Sequence, residues 1–503
     1  MSGSALSTLR IHPMGINTYQ EPVAYLRTDC HVCRAQGFDT HSRIRLSLAG
    51  HSVIATLNIV DPHLLEADHV GLSDAAWRAL DGKKDDRAQL SHPEPLESFS
   101  QVRGKVYGHS YSRSGLQAVI TDITAGRYSE LEMAAFVTAC AGDALSLDET
   151  IALTEAMIGV GQRLHWSAPL VVDKHCVGGL PGNRTTPLVV AIAAAAGLII
   201  PKTSSRAITS PSGTADNMAT MAPVDLDLVA MRRVVEREGG CVVWGGAMGL
   251  SPADDLLIRV ERPLDFDSEG QLAASIISKK VAAGSSHLLI DMPVGPTAKV
   301  RSARSAESQA RRLHAVGEAL GLSVRVLRTD GSQPVGRGIG PALEAWDVLA
   351  VLQNQADAPA DLAERALLLA GHLLEIGGKA LAGEGLGQAR EWLRSGAAWR
   401  KFQAICQAQG GLREPPRAPH TQDFLASRDG RVQSIDNRRL ARIAKLAGAP
   451  ASPAAGIELA VHCGDRVERG QRLYRLHAQS PGELAYAAAY AGAHPETIQV
   501  EDD

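Results

Sequence analysis

The sequence predicts a multidomain chain of mixed α+β and α/β class: a β-rich N-terminal domain, a helical lobe, a large α/β domain with glycine-rich phosphate loops, and a C-terminal α+β domain. Three observations predict it. A length of 503 residues suits about three or four domains. The first ninety residues carry alternating β-branched segments, and from residue 168 onward short apolar runs alternate with glycine-rich turns and helices, the pattern of an α/β domain.

Composition narrows the classes further. At 45% hydrophobic residues the chain can build ordinary cores, and a net charge of −4 leaves no electrostatic footprint for nucleic acid. The most apolar window, 188–200, is too short to span a bilayer, and the first residues carry no basic stretch followed by an apolar run. These features predict a cytoplasmic protein with neither membrane nor nucleic acid as partner. Seven cysteines in a long chain without a secretory signal imply reduced thiols. Cys30 and Cys33 form the one Cys-x-x-Cys pair, and a structural zinc would need a second such pair that the sequence does not offer.

The elements follow in order. Segments 23–26, 43–48 and 52–60 predict strands, with turns at Gly50-His51 and near Asp39; Ser73 is a helix cap for a run to Leu80, and 81–97 reads as a polar linker. Ser129 with Glu132, and Ser146 with Glu149, are capping boxes ahead of helices reaching Cys140 and Leu164. Buried strands are expected at 170–172, 198–200, 241–244, 288–290 and 323–327, and helices at 361–375 and 388–407. Past Arg417, residues 437–447 predict a helix and 464–473 a strand, a turn and a strand. That turn resembles the hairpin of lipoyl and biotinyl domains, but no lysine follows Lys445, so it cannot carry a group and reads as a structural cap. The domain limits are therefore 1–90, then 95–165 with 252–282, then 166–251 with 283–415, and finally 418–503.

Chemistry concentrates in Asp173-Lys174-His175-Cys176-Val177-Gly178-Gly179-Leu180-Pro181-Gly182-Asn183-Arg184-Thr185-Thr186-Pro187, followed by an alanine-rich run to Gly197. It reads as strand, glycine loop and helix, with Thr186 as cap and Pro187 as first helical residue. A helix start presents unpaired N–H groups, glycines let backbone approach an anion, and Lys174 and Arg184 add charge, which together make a phosphate cradle. The spacing is neither that of a Walker A loop nor of a dinucleotide fingerprint. The plain alternative is a tight turn whose glycines serve packing. A second loop, Lys202-Thr203-Ser204-Ser205-Arg206-Ala207-Ile208-Thr209-Ser210-Pro211-Ser212-Gly213-Thr214-Ala215-Asp216, again leaves an apolar strand and enters a helix expected from Asp216. Ligands of open α/β sheets bind at such carboxyl ends.

These two loops, with Leu257-Ile258-Arg259-Val260-Glu261-Arg262-Pro263-Leu264, resemble thymidine and pyrimidine-nucleoside phosphorylases, in particular the N-terminally extended branch that includes archaeal AMP phosphorylases. The resemblance covers nearly the whole chain. It implies a pentosyltransferase that splits a nucleoside with inorganic phosphate, without metal or organic cofactor, as a homodimer through the helical lobe or a larger assembly. Lys174, Thr186, Ser204 and Thr214 fall where the family holds phosphate, and Arg259, Ser275 and Lys279 where it holds a pyrimidine. The nucleotide branch implies further contacts from Gly179, from Ser205, Arg206, Ala207, Ile208, Thr209 and Ser210, and from Thr214, Ser275 and Lys299, with Asp267 as proton donor. One departure is Cys176, where the family usually has serine; a nearby Lys174 could acidify the thiol, or the residue could be a small buried filler.

The residue types fit that chemistry independently. Phosphate is a weak nucleophile and must be fixed in line with the anomeric carbon, while a proton or hydrogen bond on the base helps it leave. His175 and Asp267 are the candidate acids; His175 could equally be structural, and Asp267, ahead of 268–282, could be a helix cap. Thymidine is the first expectation for the substrate. A nucleoside 5′-monophosphate such as AMP follows, because Arg184, Lys202, Arg206 and Lys299 exceed what one phosphate requires. A magnesium-dependent phosphoribosyltransferase of the anthranilate type and a non-catalytic binding protein are the remaining classes.

Overall fold

The computed structural model describes residues 8–207, 210–264, 266 and 268–502. The chain forms two compact units, one ending at Ala139 and the other beginning at Cys140.

The first unit opens with a closed six-stranded barrel, in the order Thr8–Pro13, His69–Leu72, Val23–Arg27, His51–Val60, Arg43–Leu48 and Arg87–Ser91. Inward residues such as Leu9, Ile11, Ile44, Leu46, Leu57 and Leu90 alternate with exposed ones and fill its core together with Cys30 and Cys33. The strand Arg87–Ser91 corrects the reading of 81–97 as a linker. Its polar residues point outward while Ala88 and Leu90 are buried, and it pairs with both Thr8–Pro13 and Arg43–Leu48 to close the barrel. Two inward positions among charged neighbours make a faint alternation. Helices Phe99–Val106, Arg113–Thr124 and Glu130–Ala139 complete this unit, and Ser129 and Glu132 exchange the two hydrogen bonds of a capping box.

In the second unit the parallel strands Ser323–Asp330, His287–Val294 and Val172–Cys176 lie side by side, followed by the parallel pair Ile200–Ser204 and Gly240–Trp244. The Val172 N–H donates to the Ile199 carbonyl at 2.9 Å where the two groups meet. Two strands sit further along the chain than expected. An apolar run at 170–172 stops at Asp173, yet the strand starts at Val172 and carries Asp173 and Lys174 fully buried; 198–200 likewise becomes Ile200–Ser204. Compensation between buried opposite charges, invisible in a hydrophobicity pattern, permits this.

The helix Thr185–Ala195 runs through the main core, apolar on all sides. It begins earlier than expected, so Thr186 is inside its first turn and not the cap, and Gly197 follows its end with φ +81. The helix expected from Asp216 begins at Thr214, and the one after Ser146 ends at Gly159 instead of Leu164. The stretch 388–407 is two helices, Gly385–Arg394 and Ala397–Gln409, broken at Gly396, whose φ of 71° ends helical geometry. Helices Pro252–Leu264 and Glu269–Ala282 follow Gly240–Trp244, and the second packs on Leu147–Gly159.

The C-terminal part has two small antiparallel sheets. One takes its edge strand, Gly338–Ile339, from before residue 340 and adds Gly456–Leu459, Arg472–Ala478 and His420–Leu425; the other joins Arg466–Val467, Gly430–Ile435 and Ile498–Glu501. The expected hairpin at 464–473 is therefore a turn between two sheets, because Arg466–Val467 and Arg472–Ala478 pair with different partners.

Candidate active site

The cradle starts inside the strand Val172–Cys176. Alternation sends Asp173 and Lys174 to opposite faces of the sheet. Lys174, fully buried, directs Nζ to Thr185 Oγ1 at 2.8 Å and Thr186 Oγ1 at 3.5 Å, in the first turn of Thr185–Ala195. Its Nζ is also 3.9 Å from Asp291 Oδ2. Asp291, one strand over, accepts hydrogen bonds from Thr329 Oγ1 at 2.7 Å and Asn183 Nδ2 at 2.9 Å. The same amide lies 3.4 Å from the Cys176 sulfur. Asp173 takes Lys280 Nζ at 2.8 Å and Lys202 Nζ at 3.7 Å, and both lysines approach the Thr203 carbonyl. Three buried lysines and two buried aspartates thus form two charge clusters, Lys174 with Asp291 and Lys202 and Lys280 with Asp173, on opposite sides of the strand Val172–Cys176.

Such crowding moves proton affinities. Burial first, and then Lys280, Lys202, Lys279 and Lys174, hold the half-buried His175 well below the usual imidazole range. The shift favours the neutral ring, which offers an N–H hydrogen bond, over an imidazolium donor. Burial also lowers Lys202 well below an ordinary ammonium, with Lys280 and Lys174 adding to the effect and Asp173 opposing it. Cys176 goes the other way: burial and Asp291 outweigh Lys174 and push the thiol up to about 11. The expected acidification by Lys174 is therefore reversed, and Cys176 stays a protonated, weak donor.

The glycine loop shows the packing role at two of its positions. A Cβ on Gly179 would stand 2.5 Å from the Lys299 backbone nitrogen, and one on Gly182 would stand 2.2 Å from the Val335 carbonyl oxygen, so these two glycines permit close packing. Gly178, with φ +94, has open space beside it.

In the second loop, Ser204 Oγ is buried and has no hydrogen-bond partner among the described residues. Thr214 Oγ1 accepts from Arg184 Nη1 at 2.8 Å, and Arg184 also donates to the Ser212 carbonyl at 2.9 Å and to Glu344 at 2.8 Å. Asp216 folds the loop back by accepting from the Ala207 N–H at 2.6 Å and the Gly213 N–H at 3.0 Å. Arg206 pairs with Asp216 and Asp225 and lies 4.9 Å from the centre of the Trp244 ring. Ser205 adjoins these residues, Ser210 Oγ donates to the Ser212 carbonyl at 3.0 Å, and Ile208 and Thr209 lie outside the described residues.

The third group lies on two helices. Ser275 and Lys279 are one turn apart on Glu269–Ala282, with Lys279 Nζ 3.1 Å from Ser275 Oγ and 2.7 Å from Asp254 on Pro252–Leu264, the helix that also carries Arg259. Lys279 reaches the cradle electrostatically, since it helps depress His175. On the same helix as Arg259, burial and then Asp254 push the Glu261 carboxyl up to about 7. Asp267 lies outside the described residues. The N-cap of the following helix is Ser268, whose Oγ accepts from the Gln271 N–H at 3.2 Å.

Sequence reading missed Lys280, Asp173 and Asp291 as site-forming residues. Each left a signal: Lys280 follows Ile276 and Ile277 on a buried helix face, and both aspartates interrupt apolar strands.

The fold is that of an α/β transferase with a helical lobe, and the buried lysines and glycine loop lie beside the helices that carry Ser275 and Lys279. The comparisons agree with that class. Residues 102–161 match the helical bundle domain and 168–399 the a/b domain of a glycosyl transferase family, and 431–494 match the pyrimidine nucleoside phosphorylase C-terminal domain. "Putative thymidine phosphorylase" of Polaromonas sp. (strain JS666) is 63% identical over 98% of this chain and 97% of its own. The like-named protein of Hahella chejuensis is 56% identical over 100% of both chains. Among solved structures, anthranilate phosphoribosyltransferase from Thermus thermophilus shares the fold, with TM-score 0.50 and 20% identity over 61% of this chain and 99% of its own. The chain belongs to the thymidine and pyrimidine-nucleoside phosphorylase family. It is a pentosyltransferase whose reaction is nucleoside phosphorolysis. Among the described residues no helix is long and apolar enough to cross a membrane.

The thiol's chemistry gives a first expected result. Cys176→Ser will retain or raise activity in a phosphorolysis assay, because a hydroxyl is the stronger donor and fits the same space. A loss of activity with the fold intact would mean that the sulfur contributes something a hydroxyl cannot.

Proposed function

We propose that the enzyme splits thymidine with inorganic phosphate into thymine and 2-deoxyribose 1-phosphate, without metal or organic cofactor. The observation that carries the reading is the buried Lys174, bonded to the threonine hydroxyls in the first turn of Thr185–Ala195. An N-terminal helix turn with a lysine beneath it and an unpartnered Ser204 hydroxyl nearby suits a compact dianion. In this proposal Lys174, Thr186, Ser204 and Thr214, with the backbone near Gly179, hold phosphate; Arg259, Ser275 and Lys279 hold the pyrimidine; Ser205, Arg206, Ala207, Ile208, Thr209, Ser210 and Lys299 border the sugar.

A phosphate oxygen forms the new bond to C1′ as the C1′–N1 bond breaks, and the bonding pair leaves with the base. Asp267 supplies the proton that the departing base takes up, while neutral His175 steadies it with an N–H hydrogen bond. Fixing phosphate in line with C1′ converts a weak bimolecular attack into an effectively intramolecular one, and exclusion of water protects C1′ from hydrolysis. A homodimer through the helical lobe belongs to the same proposal.

The cations favour a nucleoside over a nucleotide. Arg206 faces Asp216 and Asp225, Arg184 faces Glu344, and Lys202 faces Asp173, so three of the four apparently surplus cations have protein counter-charges, while Lys299 acts on the Glu261 carboxyl. The deciding measurement is kcat/KM for thymidine, uridine, AMP and CMP at fixed phosphate in the presence of a chelator, with the free base quantified. Thymidine is expected to lead every monophosphate by at least about a hundredfold, roughly 2.7 kcal/mol of transition-state discrimination. The reverse ratio would replace thymidine by a nucleoside 5′-monophosphate, and dependence on magnesium and a diphosphate-bearing sugar would overturn phosphorolysis.

A further inference from the structure

The barrel carries a histidine that the reaction does not use. His69, the first residue of His69–Leu72, is only 7% exposed. Its Nε2 is 2.9 Å from Asp85 Oδ1, which fixes the ring's orientation. The other ring nitrogen, Nδ1, lies 2.9 Å from Asp68 Oδ1 and 3.5 Å from Glu66 Oε2, yet among the described residues this buried atom makes no hydrogen bond of acceptable geometry. The three donor atoms all fall within 4.8 Å of one another. Neighbouring groups leave the arrangement intact: Arg10 Nε pairs at 3.2 Å with Asp68 through its other oxygen, and the His12 ring meets His69 edge-on with centroids 6.1 Å apart.

We propose that Glu66, Asp68 and His69 form a binding site for a divalent transition-metal ion of the zinc class. Bonds of about 2.0–2.2 Å to nitrogen and carboxylate oxygen place tetrahedral ligand atoms roughly 3.3 Å apart, close to the two separations found here. One imidazole nitrogen with two carboxylates selects zinc over magnesium or calcium, which prefer all-oxygen shells. Asp85 is the outer carboxylate that keeps the Nε2 proton in place and turns the Nδ1 lone pair toward the ion, a common support for metal-bound histidine. The chain pins the ligands together: Glu66, Asp68 and His69 are nearly consecutive, the His69 N–H donates to the Glu66 carbonyl, and the Arg10 N–H donates to the Asp68 carbonyl. With three protein ligands the ion would keep a position for water. The rival arrangement is the ring held between Asp68 and Asp85 with no ion bound.

The test is calorimetric titration of the chelator-treated full-length protein with zinc chloride, magnesium chloride serving as the comparison ion. One saturable zinc site is expected, at least tenfold tighter than magnesium. Glu66→Gln alters an exposed side chain that the barrel does not need, and it should weaken zinc at least tenfold; His69→Ala should abolish the site, and Asp85→Asn should weaken it about 10–100-fold. His63→Ala, at the exposed His63–Asp61 pair, should change nothing. Absence of a zinc site, or zinc affinity unmoved by both Glu66→Gln and His69→Ala, would overturn the proposal and leave the ion-free arrangement between Asp68 and Asp85.

Discussion

Lys174→Ala is expected to reduce kcat/KM for phosphate by at least an order of magnitude, and Thr186→Ala to act in the same direction. Hydrogen bonds to a charged group contribute roughly 1.5–3 kcal/mol each, which is about one to two powers of ten in rate or affinity. The two variants differ in stability, and that difference checks the geometry. Lys174 is fully buried and sits 3.9 Å from Asp291, so its removal leaves a buried carboxylate without its cation, and breaking such a pair costs about 3–5 kcal/mol. Asp291 keeps its bonds from Thr329 and Asn183, which places the loss toward the lower end. Thr186→Ala removes only a hydroxyl that accepts a 3.5 Å contact, and its melting temperature should stay close to the parent's. Lys174→Met preserves most of the side-chain volume and guards against a folding failure. Initial rates across a phosphate series, taken well below each melting temperature, decide the matter: unchanged phosphate dependence in all three variants would remove Lys174 and Thr186 from the site.

Asp267→Asn is expected to lower kcat by about 10²–10⁴-fold with little change in substrate affinity, the usual range for loss of a general acid. Burial and four lysines shift His175 away from the imidazolium form that would donate a proton. Ser268 is the N-cap of Glu269–Ala282. Measuring kcat and the melting temperature on one variant distinguishes chemistry from structure. A slightly less stable but fully active Asp267→Asn enzyme would exclude the proton-donor role, and Glu261, raised to about 7 on the neighbouring helix, would become the carboxyl to replace next.

Much of the site could be read from the chain. Glycines, hydroxyls and cations packed between an apolar strand and an apolar helix are written locally, so the cradle and the loop around Ser204 stand out without coordinates. The glycines' division of labour could not be read: only the approach of Lys299 to Gly179 and of Val335 to Gly182 shows that these two serve packing. The polar strand Arg87–Ser91 was hidden because two buried residues cannot outvote three charged or polar ones in a short window, and only closure of the barrel makes it a strand.

By itself the sequence determined the class, the order of the domains, the position of the glycine- and hydroxyl-rich loops and the family, because each rests on residue type, local spacing or turn chemistry. Tertiary structure alone decided which charges cooperate. Lys174 and Asp291 are more than a hundred residues apart in sequence, as are Arg184 and Glu344, and adjacent Lys279 and Lys280 serve different carboxylates, Asp254 and Asp173. The reason is physical: a charge's protonation and its partner depend on desolvation and on distances across packed elements, and neither quantity is encoded in the neighbouring residues of the chain.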